Sequence, residues 1–587
     1  MYVKVVPNRG SPPAILLTEG YREGGKVKNR TLANLTKLPP EKVEALRQAL
    51  KGGSVGPPLA DAFSISRSRP HGHVAAVLGT LQRIGLDRII DPKPSRNRDL
   101  TLAMIVQRVI DPGSKLACAR ALAANTLNSS LGEVLQLERA DEDDLYGAMD
   151  WLVTRQERIE DSLARRHLSE GTLVLYDVSS SALEGRHCEL GRLGYPRDGV
   201  KGRLQIIYGL LTTKDGCPVS VQVFEGNTGD PATVSAQVAK IKDRFRLSSV
   251  VLVGDRGMIT KARIEEDLRG TGLDWITALR APAIKQLAQR GAIQLSLFDE
   301  TNLAEISDPE YPDERLVVCR NPILAEERRR KREDLLAATE VELGKIESAV
   351  KREKRPLRGE GAIGVRLGRV INHYKMGKHF ITEIRGDHFS FRRDEEGIAQ
   401  EASLDGLYVI RTTVGAERLS SAEVVASYKR LQRVERAFRI FNGDLDVRPI
   451  HHRKADRVRM HLLLCMLSHY VEWHMLERLT PLLFSEEDPE GAAAARSSPV
   501  NPPVRSVAAA AKAKTKRNKD GLPVQSFRSL LRDLGTITVN RMQPTQAAIP
   551  AFDKITTPTP LQHHALELLG VSERLGFTGK ATSRSPS

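Results

Sequence analysis

The sequence predicts an α/β protein whose core is a mixed sheet flanked by helices. Two apolar runs, residues 173–176 and 250–254, have the length and continuous hydrophobicity of strands that are buried on both faces. A hairpin pattern at residues 204–224 lies between them and supplies an antiparallel part of the sheet. Helical patterns separate the later strands, as expected where helices cover a sheet.

The elements around these runs follow one another at short spacing. The hairpin consists of strands at residues 204–211 and 219–224, joined by a turn that contains glycine. Asp230 and the proline after it predict the start of a helix, because they suit an N-cap and a first helical position. A short helix at residues 260–268 and a fifth strand at 275–279 follow the second apolar run. This order resembles the ribonuclease H-like fold.

Three acidic residues occupy positions that are unusual for purely structural carboxylates. Asp177 and Asp255 directly follow the two apolar runs, and ligands of α/β sheets bind beyond the carboxyl ends of strands. Glu435 shares a helical stripe with Tyr428 and Phe438, so the sequence predicts a carboxylate on a core-facing surface. Such a carboxylate needs a partner, for example a metal ion. The alternative is that the aspartates cap turns and that Glu435 pairs with an arginine at the helix rim.

The chain resembles a known family in an ordered set of segments. These are LVLYDVSS around Asp177, KGRLQIIYGLL, DGCPV, FEGNTGD, VLVGDRGMIT around Asp255, LDGLYVIRT, and YKRLQRVERAFRIF around Glu435. Together, across residues 70–480, they are similar to bacterial DDE transposases of the insertion-sequence-four superfamily. The resemblance implies a ribonuclease H-like catalytic core in which Asp177, Asp255 and Glu435 bind the catalytic metal ions.

The last segment departs from the family signature at two positions. Tyr428 and Glu435 match it, whereas Leu431 stands at the place of an arginine and Asn442 at the place of a lysine. These departures concern phosphate contacts rather than the three acids. The side chains expected to contact DNA are Tyr428, Arg430, Arg433, Lys201 and Arg256.

The resemblance also implies a mechanism, a cofactor and partners. Three carboxylates suit two Mg²⁺ ions, for which Mn²⁺ is a substitute, in the cleavage of a strand by water and its later joining through the freed 3′-hydroxyl. The expected partners are double-stranded DNA, as terminal inverted repeats and as target, and a second copy of the chain in a homodimer on DNA. Two alternatives remain open: a decayed DNA-binding protein derived from a transposase, and a ribonuclease H-like nuclease that cleaves without joining.

Composition agrees with a nucleic-acid partner. The 587 residues include 89 lysines and arginines against 73 acids, a net charge of +16 that suits a polyanion. The five cysteines form no CxxC pair, so we expect no structural metal site, no disulfide framework and a reducing cytoplasm. No apolar run is long enough for a signal region or a membrane span, which predicts a cytoplasmic, nucleoid-associated protein without membrane contact.

The organisation of the chain is predicted from changes in composition and pattern. Asp255 and Glu435 are too far apart for a plain loop, so an insertion domain must lie between them. The predicted parts are a small β unit at 1–60, a helical DNA-binding region at 61–168, a catalytic domain at 169–281 and 414–481, an insertion domain at 282–413, a flexible basic linker at 482–524 and a C-terminal tail at 525–587.

Two regions leave finer questions open. Residues 110–114 join two helices as either a helix-turn-helix or an ordinary helical hairpin, and the resemblance implies that helices of this region recognise terminal repeats. Within the insertion, a charged helix follows Asn321 with Leu336, Leu343 and Val350 at heptad spacing, which predicts a coiled-coil arm. Basic runs on this helix are either a solvated face or a DNA contact. Strands are expected in residues 361–413, including 364–367 and 407–410.

Overall fold

The N-terminal residues form a small unit of their own. The computed structural model describes residues 1–52, 62–126, 128–197, 199–294, 298–545 and 549–577. Three strands form an antiparallel sheet and a helix follows it: β1 (Tyr2–Asn8), β2 (Ser11–Glu23), β3 (Lys26–Asn34) and α1 (Pro40–Leu50). None of the described residues up to 52 belongs to the main hydrophobic core.

Residues 63–167 form one strand and a group of packed helices. These are β4 (Phe63–Pro70), α2 (Gly72–Arg83), α3 (Leu86–Ile90), α4 (Arg96–Ile110), α5 (Lys115–Leu122), α6 (Leu131–Val134), α7 (Glu142–Val153) and α8 (Gln156–His167). Helix α4 packs against α7, and its residues 100–109 are all buried. This packing favours the alternative of ordinary core helices over an exposed helix-turn-helix.

Five central strands have the order expected of a ribonuclease H-like sheet. They are β5 (Leu173–Ala182), β6 (Gln205–Thr213), β7 (Pro218–Glu225), β8 (Val251–Val253) and β9 (Asp274–Ala278). Spatially they run β7-β6-β5-β8-β9, antiparallel up to β5 and parallel from β5 to β9. Two helices connect the parallel strands: α9 (Asp230–Ala239), continued by a π-helix at Lys240–Arg244, and α10 (Lys261–Arg263), continued by one at Ile264–Leu268. The predicted fold class is confirmed.

The predicted insertion contributes strands to this same sheet. Its elements are α11 (Ala281–Gln289), β10 (Leu303–Ile306), β11 (Arg315–Arg320), α12 (Pro322–Lys351), α13 (Glu360–Tyr374), β12 (Phe380–Arg385), β13 (His388–Arg393), α14 (Glu395–Ala402) and β14 (Leu407–Thr412). Strand β14 pairs with both β9 and β11, which gives eight strands in the order β10-β11-β14-β9-β8-β5-β6-β7. The central sheet therefore includes residues 303–320 and 407–412, which the sequence assigned to a separate insertion.

The residues between β11 and β14 have a separate hydrophobic core. Leu336, Leu343 and Val350 of α12 are buried there against α13 and the β12–β13 hairpin. The heptad residues thus pack inside a folded unit, because an apolar stripe is buried by whichever partner surface lies nearest. The strand predicted at residues 364–367 is wrong, since these residues lie within α13.

The C-terminal part of the chain is helical and returns to the N-terminal helices. Its elements are α15 (Ser421–Lys429), α16 (Leu431–Gly443), α17 (Ala455–Leu479), α18 (Pro489–Ala494), α19 (Val507–Thr515), α20 (Phe527–Leu534), β15 (Thr538–Pro544), β16 (Phe552–Ile555) and α21 (Pro560–Leu569). Helix α17 packs against α2, α4, α7, α16 and β7. Strand β15 pairs with β16 and with β4, so residues predicted to form a tail complete a sheet with the start of the helical region.

Residues 482–524 are not a flexible linker. Lys429 donates from Nζ to the carbonyls of Pro499 (2.6 Å) and Val500 (2.8 Å). Lys512 is buried, and its Nζ donates to the carbonyl of Thr480 at 3.0 Å. The amino-acid composition could not predict this packing, because every residue has a main-chain carbonyl that accepts hydrogen bonds, whatever its side chain.

One hydrophobic core joins the helices at 72–167, the central sheet and the C-terminal helices. It includes Leu78 of α2, Leu175 of β5, Leu464 of α17 and Leu530 of α20. The domain boundaries predicted at residues 168 and 524 therefore do not separate one hydrophobic core from another. The domain boundary predicted at residue 60 falls within residues 53–61, and the predicted C-terminal tail ends at residue 587. Both positions lie outside the described residues.

Candidate active site

The central sheet places two aspartates at the same level of neighbouring strands. Leu175 of β5 is the parallel partner of Val253 of β8, and Asp177 and Asp255 each follow by two residues. Asp177 does not end its strand as predicted, because β6 pairs with β5 as far as Ala182. Strand β8 does end at Val253, which leaves β5 uncovered on that side from Asp177 onward.

Asp255 is held by its own turn and by a tyrosine. The N–H of Gly257 donates to Asp255 Oδ2 at 3.1 Å, and the Tyr428 hydroxyl donates to Oδ1 at 3.4 Å. The carbonyl of Asp255 accepts from the N–H groups of Met258 and Ile259, each at 3.0 Å. Asp255 is exposed, so its carboxylate faces solvent while the turn limits its freedom.

Glu435 reaches the site by a different route from the predicted one. The expected single helix is two, α15 and α16, which meet at Arg430. In α16 Val434 and Phe438 are buried, while Glu435 is exposed at the edge of the apolar stripe. The prediction of a core-facing Glu435 is wrong, and no desolvation of this carboxylate has to be explained.

The three acids nevertheless line one cleft of about 480 Å³. Asp177 comes from β5, Asp255 from the turn after β8, and Glu435 from the second turn of α16. Among the described residues, the acids do not form a cluster whose ligand oxygens all lie within 4.8 Å of one another. The other polar side chains that line the cleft are Arg197, Asp230, Tyr428, Lys429 and Gln432.

Asp177 is the carboxyl whose protonation the site perturbs. Burial raises the pKa of Asp177 to about 7, and the charges of Asp255 and Glu435 act in the same direction. The N–H of Val178, which donates to Asp177 Oδ1 at 2.8 Å, and the guanidinium of Arg197 oppose the rise in pKa. The cleft therefore concentrates negative charge that a cation would compensate.

The sequence reasoning missed Arg197 and Asp230, which form an ion pair in the cleft. The backbone N–H of Arg197 donates to Ser180 Oγ at 2.8 Å, which ties its loop to β5. Burial lowers the pKa of Arg197. Asp230 belongs to the segment FEGNTGD that carried the family resemblance, so a signal was present, but the residue was interpreted only as a helix cap.

The residues predicted to contact DNA are placed unevenly around the cleft. Tyr428 lines it, and Arg256 is exposed next to Asp255. Arg433 is exposed and pairs with Asp215 of the β6–β7 turn at 2.8 Å, and Arg430 lies half-buried with its pKa lowered by burial and by the charge of Arg433. Lys201 is exposed in the turn before β6 and does not line the cleft.

The two departures from the family signature differ in position. Leu431 lines the cleft and is buried, whereas Asn442 lies outside it and accepts from the Tyr208 hydroxyl at 3.4 Å. Two other acids close to Glu435 in sequence, Asp444 and Asp446, do not line the cleft, and Asp444 pairs with Arg528 at 3.6 Å. The position of Glu435 distinguishes it from both.

The donor set of the cleft fits a hard divalent cation. All the candidate ligands are carboxylate oxygens, which Mg²⁺ and Mn²⁺ prefer over nitrogen or sulfur. The charges of Asp255 and Glu435 both act on Asp177. Asp230 is neutralised by Arg197, which leaves the other three as the candidate ligands.

Comparisons with known proteins identify two parts of the chain. Residues 186–471 match a family model described as the transposase DDE domain, and residues 3–56 match the N-terminal domain of IS1634 family transposases. The first match includes Asp255 and Glu435, while Asp177 lies before its first residue. No curated protein sequence matches the chain.

A piggyBac transposase synaptic complex with hairpin DNA is similar at a TM-score of 0.33 and 10% identity, covering 80% of this chain and 82% of that chain. Among the described residues, no helix combines the length and hydrophobicity that crossing a membrane requires.

Proposed function

Because the chain belongs to the insertion-sequence DDE transposases, we propose that it cleaves and joins DNA strands at Asp177, Asp255 and Glu435. The observation that carries this proposal is that these three acids, distant in sequence, line a single cleft at the edge of two parallel strands. The raised pKa of Asp177 supports a site built for cations, since nothing else in the cleft fully compensates its charge.

The chain's own residues have distinct roles in this proposal. Asp177 and Asp255 hold divalent ions, with Mg²⁺ as the proposed cofactor, from two adjacent strand positions, and Glu435 holds them from the facing helix. When bound, such ions supply Lewis acidity that activates a water or a 3′-hydroxyl and stabilises the leaving oxygen. Tyr428 fixes the orientation of Asp255, while Arg197 keeps Asp230 from competing for the ions.

DNA is the proposed substrate, as terminal inverted repeats and as target. Arg256 and Arg433 are exposed near the cleft, where guanidinium groups suit phosphates because they donate in a planar fork. Binding of DNA by Arg433 requires that it give up part of its ion pair with Asp215, both partners of which are nearly half exposed. A homodimer on DNA remains part of the proposal, because joining two ends requires two such sites.

One alternative is a decayed protein that binds DNA without cleaving it. The departure from the family signature at Asn442 would suit such a protein, but this residue lies outside the cleft. All three acids are present and two of them, Asp255 and Glu435, are exposed. The geometry therefore favours a competent site over a decayed one.

The test is cleavage of DNA that carries the ends of the element, with Mg²⁺, by the full chain and its variants. Asp177→Asn, Asp255→Asn and Glu435→Gln keep shape but remove charge, so each should lower cleavage by orders of magnitude while DNA binding persists. Asp446→Asn is the matched control, because this exposed aspartate lies outside the cleft. If the Glu435→Gln variant melts at the same temperature as the original chain and still cleaves DNA at a similar rate, the assignment of Glu435 to the active site is wrong.

The same assay separates transposition from plain nuclease activity. A transposase converts the cleaved 3′ end into a joined product when target DNA is added, whereas a nuclease leaves the ends free. Cleavage that depends on all three acids but never yields a joined product would support the nuclease and remove the joining step from this proposal.

A further inference from the structure

A second group of potential metal ligands lies outside the cleft. His167 at the end of α8, Cys217 just before β7 and His474 on α17 have ligand atoms that all lie within 4.8 Å of one another. Cys217 Sγ is 3.9 Å from His167 Nε2. Among the residues that the structure describes, this is the one group of three or more potential ligands with that spacing.

The chemical state of the two imidazoles suits metal binding. Burial lowers the pKa of His167 and of His474 to about 4, so both rings are neutral at pH 7 and each has one nitrogen lone pair that can bind a metal ion. His474 Nε2 is buried and has no hydrogen-bond partner among the described residues. A buried polar atom without a partner is costly, and a ligand to that nitrogen would remove the cost.

We infer that His167, Cys217 and His474 bind one zinc-class divalent ion at a structural site separate from the acidic cleft. One thiolate and two imidazoles are the ligands that Zn²⁺ prefers, whereas the oxygen donors of the cleft prefer Mg²⁺. Binding breaks the S–H bond of Cys217, forms a metal–sulfur bond and releases one proton to solvent. Burial raises the pKa of this thiol, so the protonated form persists until the ion displaces the proton.

The surroundings of the three ligands set the conditions for binding. Glu477, one turn after His474 on α17, is exposed, and its charge acts on Cys217. The Tyr470 hydroxyl, 2.9 Å from His167 Nε2, must release that nitrogen. The positive charge of Arg166 opposes a cation here, while the thiolate and Glu477 compensate for it.

An ion at this site would join the β6–β7 turn to two helices. In that turn Asp215 accepts from Arg433 of α16, and its carbonyl accepts from the indole N–H of Trp473 on α17 at 3.3 Å. Arg433 lies two residues before Glu435. The ion therefore stabilises the turn against which the catalytic helix packs, without itself entering the chemistry.

The test is a titration of the full-length, metal-free protein with Co²⁺, whose bond to a thiolate absorbs light where Mg²⁺ and carboxylate-bound Co²⁺ do not. We expect a thiolate band that saturates at one equivalent and that Zn²⁺ removes by competition. The band should persist in the triple variant D177N/D255N/E435Q, because the cleft is a different site. Its absence from the folded original chain would overturn the inference and leave a hydrogen-bonded core cluster.

Variants assign the ligands. Cys217→Ser should abolish the band, whereas His474→Gln, which keeps the thiolate, should lower the affinity for Co²⁺ and Zn²⁺ by about 10–100-fold. Cys188→Ser is the matched control, since this cysteine is buried elsewhere and should keep the band. Zn²⁺ should raise the melting temperature of the original chain and of Cys188→Ser but not of His474→Gln. A band that survives in Cys217→Ser, or a His474→Gln variant that binds Co²⁺ as tightly as the original chain, contradicts the assignment. The titration of the original chain decides the case even if Cys217→Ser does not fold.

Discussion

Asp177 and Asp255 stand two residues beyond the parallel partners Leu175 and Val253, so the sheet register itself brings the two carboxylates to one cleft. The relationship depends on β8 ending earlier than β5, because the uncovered side of β5 then opens towards the turn that holds Asp255. It also gives the two side chains a common environment, which makes their functions interdependent.

The first prediction is that losses at these two positions do not multiply. If Asp177 and Asp255 hold the same ions, Asp177→Asn already removes most of the activity that Asp255→Asn would remove. The double variant should therefore cleave DNA about as slowly as the slower single variant, measured as single-turnover rates with Mg²⁺. A double loss equal to the product of the single losses would mean that the two acids act independently.

The second prediction concerns pH. With a pKa of about 7, Asp177 is largely protonated below pH 7 and must lose that proton when a cation binds. The apparent affinity for Mn²⁺ should rise about tenfold per pH unit from pH 5 to 7 and then level off. Isothermal titration in buffers of different ionisation enthalpy should detect the released proton, and Asp177→Asn should abolish the dependence. An affinity in the original chain that is independent of pH contradicts this account.

The third prediction is a stability effect of the same group, with the opposite sign from an ordinary ion-paired aspartate. Since the folded-state pKa is raised, the metal-free fold binds more protons than the unfolded chain between about pH 4 and 7. Its stability should therefore fall as pH rises through that window. Thermal melts with a chelator should show this fall, Asp177→Asn should reduce it, and saturating Mn²⁺ should counteract it. A flat profile in the original chain would argue against the raised pKa.

The fourth prediction uses Arg197, whose charge opposes the rise in the pKa of Asp177. Arg197→Gln should shift the pH profile of Mn²⁺ binding to higher pH, and Arg197→Lys should restore much of it. Arg192→Gln is the control, because Arg192 is an exposed partner of Glu225 and does not line the cleft. Equal profiles for Arg197→Gln and the control would show that Arg197 has no electrostatic role here.

The fifth prediction concerns truncation. A chain that begins at residue 62 should fold, because no described residue up to 52 belongs to the main core and β4 starts at Phe63. A chain that begins at residue 169 should be insoluble, since it loses Leu78, Leu102 and the other core residues of α2–α8. Solubility and thermal melts check both outcomes. A soluble, cooperatively melting chain from residue 169 would contradict the single shared core.

Sequence alone determined the fold class and singled out the three acids that line the cleft. Continuous apolar runs, a hairpin with a glycine turn and helical spacing are local patterns, and each reports directly on burial or backbone geometry. The acids were identified through the segments around Asp177, Asp255 and Glu435, and the comparisons bear out the family. Their roles as metal ligands remain a prediction.

Local sequence patterns gave wrong predictions where the burial of a side chain or the packing of a segment depended on residues far away in the sequence. The apolar stripe through Tyr428 and Phe438 predicted a buried Glu435, but the buried face of α16 runs through Val434 and Phe438, and Glu435 is exposed beside it. Residues 482–524 have a linker-like composition, yet Lys429 and Lys512 fix main-chain carbonyls in and beside this segment.

Sequence by itself thus determined the fold class and singled out three carboxylates that share one cleft, because these follow from residue type and short-range spacing. Tertiary structure alone decided that β10, β11 and β14 complete the central sheet, that Arg197 neutralises Asp230, and that His167, Cys217 and His474 meet. The physical reason is that these contacts join residues far apart in the sequence, which no local periodic pattern links. Only the packing of sheet and helices into one core brings them within bonding distance.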